Sequence, residues 1–158
     1  MKHCIIFIST FMLISNLFAG VIRVPEDQPN IQAGIDASSN GDNILVADGI
    51  YTGEGNRGIS LQGKIISVMS SGGMDKCIID CEFEDRAFLI NQGETNTSLI
   101  QGFTIKNGEA VNSPIGNGGG IFVEDGYSIS ILDTRFESCN DYAIRLGNQE
   151  AGNLSTNY

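Results

Sequence analysis

Tryptophan is absent from the chain, and histidine occurs once, at His3, within an apolar N-terminal stretch. Once that stretch is removed no imidazole is left, which argues against a zinc site. Positive charge is also scarce. Nine Lys and Arg stand against 19 Asp and Glu, for a net charge of −10, so the surface repels phosphate backbones and nucleic acid is excluded as a partner. An anionic polymer is repelled too, unless a bound cation or a local basic patch intervenes. Apolar runs are short. None reaches the ~20 residues needed to cross a bilayer, so no transmembrane segment is expected in the mature chain. Helix-favouring runs are few as well. What the sequence has instead is 20 glycines and many Ile, Val, Phe and Thr, the composition of short strands joined by tight turns.

The apolar stretch has an address. Met1-Lys2-His3 is basic, Cys4 to Ile14 is apolar, and small residues follow at Ala19 and Gly20. Residues 1–20 therefore read as a secretory signal peptide, cut near Ala19 or Gly20, and the mature protein as secreted or held at the cell surface. Cys4 comes too early, without a preceding small residue, to be a lipid-attachment site. Cys77, Cys81 and Cys139 remain. An odd number in an oxidising compartment leaves at least one unpaired. Four residues apart along a strand, Cys77 and Cys81 would hold their α-carbons about 13 Å apart, beyond disulfide reach. All three are expected to be small buried apolar residues.

Two phrases recur. Leu99-Ile100-Gln101-Gly102-Phe103-Thr104-Ile105-Lys106-Asn107 is echoed by Leu132-Asp133-Thr134-Arg135-Phe136-Glu137-Ser138-Cys139-Asn140, with Leu, Phe and Asn matched. Ala87-Phe88-Leu89-Ile90 returns as Gly120-Ile121-Phe122-Val123 and as Ala143-Ile144-Arg145-Leu146, with starts 33 and 23 residues apart. The ten extra residues fall in the Gly/Asn/Ser/Pro loop from Glu109 to Gly119. Strand-like phrases at this period indicate a solenoid of stacked coils. About five coils are expected, with like strands about 4.8 Å apart along the axis. Phe103 and Ile105 then point inward, Thr104 and Lys106 outward, and Asn107 and Asn140 sit at left-handed turns.

Upstream, Val21 to Val24 reads as a strand stopped by Pro25. Pro29 to Ala37 reads as a short helix with Pro29 in its first turn and Ile31 and Ile35 on one face. This helix is the natural lid for the apolar end of the first coil. Strands are also expected at Asn43–Ala47, Gly58–Leu61, Lys64–Met69 and Cys77–Asp80. Residues 21–147 thus form one solenoid, and 148–158 a polar tail. That tail looks unable to close the far end, so the chain is read as a fragment lacking further coils or a C-terminal domain.

Pro29-Asn30-Ile31-Gln32-Ala33-Gly34-Ile35-Asp36-Ala37, with Gly41-Asp42-Asn43-Ile44-Leu45-Val46-Ala47-Asp48-Gly49-Ile50-Tyr51, resembles the opening of secreted right-handed parallel β-helix proteins of the pectin-lyase-like superfamily. Gln101 to Gly108 and Gly118 to Ile121 are similar to that family's repeats. The resemblance implies an all-β, right-handed parallel β-helix with a short N-terminal capping helix. It implies an activity much less, because the family includes lyases, hydrolases, esterases, epimerases and adhesins.

Three constellations carry possible chemistry. Asp80, Glu82 and Glu84 alternate with Ile79, Cys81 and Phe83, so a continuous strand would put three carboxylates on one outer face. Such oxygens suit calcium, and calcium-assisted proton abstraction beside a uronate is what the family's lyases do. The same pattern is also that of an ordinary solvated acidic face. Asp141, after Phe136-Glu137-Ser138-Cys139-Asn140, resembles the place where pectin methylesterases carry an acid. Here, however, Gly118 or Gly119 stands where that family has Gln, and Asp141 reads as a turn residue. Gly116-Asn117-Gly118-Gly119-Gly120 lacks the Lys-Ser/Thr of a phosphate cradle and reads as a flexible turn. Lys106 and Arg135, aligned on neighbouring coils, could grip a carboxylated sugar, though as isolated basic residues they read more simply as surface solubility. The reading is a secreted or cell-surface β-helix module, non-catalytic and without an obligate cofactor. A polysaccharide or cell-surface glycan is the ligand class that the resemblance implies. The alternative is a polysaccharide lyase or esterase fragment using calcium at Asp80, Glu82 and Glu84, or acid catalysis at Asp141.

Overall fold

A computed structural model describes residues 19–110 and 118–147. The leader before residue 19, the polar tail and the middle of the long loop lie outside the described residues. Thirteen strands and one helix are present among those described. Every strand pair is parallel, and the strands form three sheets. The first holds β1 (Val21–Val24), β2 (Asn43–Val46), β5 (Ser67–Ser70), β8 (Leu99–Gln101) and β11 (Ser130–Leu132). The second holds β3 (Gly49–Tyr51), β6 (Cys77–Asp80), β9 (Thr104–Lys106) and β12 (Arg135–Glu137). The third holds β4 (Ile59–Ser60), β7 (Phe88–Ile90), β10 (Ile121–Val123) and β13 (Ile144–Leu146). The chain visits the sheets in rotation, one strand each, which is a parallel β-helix. Four such coils follow the lone strand β1, rather than about five.

The interior is three stacked rows. Ile22, Ile44, Val68, Ile100 and Ile131 are in register on the first sheet. Tyr51, Ile79, Ile105 and Phe136 follow on the second, and Ile59, Phe88, Ile121 and Ile144 on the third. The middle members are wholly buried, each stabilising the fold by ~1.5–3 kcal/mol relative to exposure.

The lid is where the sequence places it. Helix α1 (Ile31–Ala37) buries Ile31 and Ile35, and Gly34 lets its backbone approach Ile44 and Val24, which would stand 3.1 Å from an added Cβ. Asn30 caps it by accepting from the Ala33 N–H at 2.8 Å, so Pro29 precedes the cap instead of occupying the first turn. The Lys64 ammonium donates to the carbonyls of Ile35 (2.6 Å) and Asp36 (3.2 Å) at the other end, where a cation suits the helix dipole. The same contact shortens a strand. Lys64 and Ile65, expected in the sheet, are held by α1 and by the Asn40 side chain (2.9 Å), and β5 starts only at Ser67.

Register separates the two repeated phrases. Phe88, Ile121 and Ile144 stack as the second phrase predicts. The first phrase is off by two. Phe136 lies over Ile105, not Phe103, and Leu132 over Gln101. Left-handed backbone shows the same offset, at Gly102 (φ 82°) and Asp133 (φ 45°), then at Asn107 (φ 55°) and Ser138 (φ 52°). Ser138, and not Asn140, is therefore the turn residue equivalent to Asn107. Matching Phe to Phe by letter overrode the turn geometry that sets the register. Thr104 also departs from expectation. Although its position faces outward, it is 3% exposed, because its hydroxyl donates to the Met74 carbonyl (2.7 Å) in the loop that covers it.

Candidate functional site

The carboxylates singled out in the sequence meet the outer face of the second sheet, beside its turn. In register, Asp80, Lys106 and Glu137 form one outward row of alternating sign on three successive coils. Asp80 accepts from the Lys106 ammonium (3.1 Å), from the Asn107 amide (2.8 Å) and from the Glu82 N–H (3.1 Å). Partial burial pushes its pKa up, but those three donors outweigh it and hold the carboxyl below its usual 3.8. Glu82 is not on the strand. β6 stops at Asp80, and both Glu82 and Phe83 adopt left-handed backbone, φ 57° and 58°. The strict alternation expected through Glu84 ends there. From the turn Glu82 reaches back to the previous coil, where it accepts from the Gly53 N–H (2.9 Å) and forms an ion pair with Arg57. Glu84 is exposed. Among the described residues no group of three or more His, Cys, Asp or Glu is arranged to hold a metal ion.

Lys106 and Arg135 lie on neighbouring coils of this face but are not aligned: Arg135 is opposite Thr104, two positions from Lys106, and Glu137 is opposite Lys106. Each already has a partner in the chain, Asp80 for Lys106 and Asp75 for Arg135 (2.8 Å). Asp141 is an exposed turn residue with φ 61°. Its neighbour Tyr142, 41% exposed, lies under the Arg145 guanidinium, 5.8 Å from the ring centroid. The described part of the glycine run is tightly packed, not loose. A Cβ at Gly108 would collide with the Gly119 carbonyl oxygen, and one at Gly120 with that of Ala143. These glycines let the base of the long loop fit against its neighbours.

Comparison with protein-family models, with curated proteins and with solved structures finds no match.

A second polar surface was not legible as a site in the sequence. Gln32 on α1 donates to Asp36 (2.9 Å) and to the Ser60 carbonyl (3.1 Å), and accepts from the Ser60 N–H (2.9 Å). Gln62 donates to Asp36 (2.8 Å), and Gln92, a coil further on, to the Ser60 hydroxyl (3.3 Å). Helix and two coils thus share one network of amides, hydroxyl and carboxylate. Its only trace in the sequence is a scatter of Gln and Ser at outward positions.

The thiols are structural. Cys77 and Cys81 are wholly buried, and desolvation pushes both up to about 12. Cys139 is half-buried instead of enclosed, and burial raises its pKa as well. No helix among the described residues is long and apolar enough to cross a membrane.

Proposed function

We propose that the protein is a secreted or cell-surface β-helix module that binds a polysaccharide or cell-surface glycan without transforming it. The pectin-lyase-like resemblance of its opening residues supplies the ligand class. The observation that carries the non-catalytic part is the pairing of two of the four candidate carboxylates: Asp80 is tied to Lys106 and Asn107, and Glu82 to Arg57. Asp80, held ionised by these donors, is a poor proton donor, and both carboxylates have fewer oxygen lone pairs left for a metal. Charge narrows the ligand further. A net charge of −10 opposes a polyuronate, so a neutral glycan fits better. The network of Gln32, Asp36, Ser60, Gln62 and Gln92 offers the amide and hydroxyl groups that recognise sugar hydroxyls.

The test is calorimetric titration of the chain with soluble neutral glucans, xylans and galactans and with polygalacturonate, alongside ultraviolet absorbance with polygalacturonate and calcium. Binding to a neutral glycan, with no absorbance change, is expected. Unsaturated product in the presence of calcium would replace this reading with the lyase one. No binding to any polymer would remove it.

A further inference from the structure

A small cavity opens beside the outer face of the first sheet, on a different sheet from the amide network, whose Ser60 belongs to the third. Its volume is about 190 Å³, and Arg23, Pro25, Glu26, Leu45, Ala47 and Ser71 line it. Alternation along the strands builds it. Val24, Ile44 and Val46 are buried inside, which turns Arg23 and Leu45 outward, opposite one another on β1 and β2. The main chain fixes the mouth. The Arg23 N–H donates to the Asp27 carboxylate (2.7 Å), and the Arg23 carbonyl accepts from the Asp27 N–H (2.8 Å) and the Gln28 N–H (3.1 Å), closing the turn that carries Pro25 and Glu26. One coil on, the Ser71 N–H donates to the Val46 carbonyl (2.8 Å) and so brings Ser71 to the same cavity.

The rim holds opposite charges that do not touch. The Arg23 guanidinium stands 3.8 Å from the Glu26 carboxylate and 3.7 Å from that of Asp27, close enough for attraction and too far for a hydrogen bond. A ligand group set between guanidinium and carboxylate must accept from one and donate to the other. A hydroxyl does both with a single oxygen. Pro25, Leu45 and Ala47 present aliphatic surface to the same space, so the ligand must also offer C–H groups. Size and charge narrow it further. Pockets for drug-sized molecules measure ~300–1,000 Å³, so about 190 Å³ admits one ring. A chain of net charge −10, with the carboxylates of Glu26 and Asp27 near this rim, disfavours an anion.

We infer that this cavity is a subsite for one neutral pyranose ring, whose C–H face rests on Leu45 and Ala47 and whose hydroxyls bridge Arg23 and Glu26. A pyranose meets each demand: a single ring, no charge, a C–H face and hydroxyls around its edge. That the ring belongs to a glycan rests on the function proposed above; its fit rests on the cavity's own groups.

Nuclear magnetic resonance of the full chain, isotope-labelled at amides and methyl groups and titrated with the methyl glycosides of glucose, galactose and xylose, tests this. Saturable shifts are expected at the Leu45 and Ala47 methyls. Arg23→Ala and Glu26→Ala, at exposed positions, each remove one partner of a bridging hydroxyl and are each expected to weaken binding about fivefold or more. Ala47→Leu fills the cavity and is expected to abolish those shifts. Circular dichroism checks that each variant is folded; should Ala47→Leu fail to fold, the two rim variants decide alone. No shift at Leu45 and Ala47, or shifts there that ignore both rim substitutions, would overturn the subsite. If the shifts fall instead on the side-chain amides of Gln32, Gln62 and Gln92, the network proposed above stands without it. Shifts at the cavity with no binding of any polymer in the calorimetric titration would remove the polysaccharide reading and keep the subsite.

Discussion

The first and the last described coils of the solenoid are built alike and covered differently. At the N-terminal end Ile31 and Ile35 of α1 close over the first rungs, and the helix is fastened from both directions, by the Asn30 cap and by Lys64 on its last carbonyls. On the last described coil the same interior positions are partly exposed. Phe88 and Ile105 have no exposure, whereas Phe136 and Ile144, one or two coils further on, are partly exposed. The difference teaches that a β-helix coil is only half a core. Each rung buries one side of its neighbour, and the second side must come from something else.

The largest expected effect tests this directly. Phe88→Ala removes a side chain enclosed by coils on both sides and is expected to cost about 3–5 kcal/mol. Phe136→Ala, on the last described coil, is expected to cost less, roughly 1–2 kcal/mol, because part of its area is already solvated. Urea denaturation compares the two. Equal losses would mean that the last coil is as closed as the middle.

An intermediate effect is expected at the glycines between coils. Gly108→Ala drives a Cβ into the Gly119 carbonyl, and the Gly108 carbonyl itself accepts from the Asn140 N–H (2.8 Å) on the last coil. Overpacking of this kind costs about 1–3 kcal/mol. The loss should be local: amide exchange is expected to accelerate in β12 and β13 while β2 and β3 keep their protection. Uniform acceleration would show that the two ends unfold as one unit.

How much of this was legible follows from which signals are local. Most strands, the lid helix and the third-sheet register could be read because apolar residues and small residues repeat there: Ala87, Gly120 and Ala143 each precede a strand whose first residue points inward. The first phrase misled because Phe103 and Phe136 share a letter and not a place. Phe103 follows the turn glycine Gly102, whereas Phe136 follows Arg135 inside a strand. The carboxylate row failed for a related reason. Alternation from Asp80 to Glu84 predicts one face only if the strand continues, and two successive left-handed residues, Glu82 and Phe83, stop it. No side chain announces those φ values. The pairing of Glu82 with Arg57 and of Asp80 with Lys106 joins residues 25 and 26 apart along the chain, and only the coil period brings them together.

The smallest expected effect separates the interior from the surface that wraps it. Asp80 belongs to neither end; it lies on the second coil and joins it to the third through Lys106 and Asn107. Folding holds its pKa below 3.8 because those donors outweigh burial. A carboxyl depressed by folding stabilises the native state above its unfolded pKa, and that stability is lost as the pH falls through the folded value. Asp80→Asn is therefore expected to cost about 1 kcal/mol at neutral pH, with the difference from wild type closing as the pH drops below 3.8. Urea midpoints at pH 7, 5 and 3 measure it. A constant difference at all three would place the contribution in packing and not in charge, and the outer row of alternating sign would then be decoration on a fold held together by its interior alone.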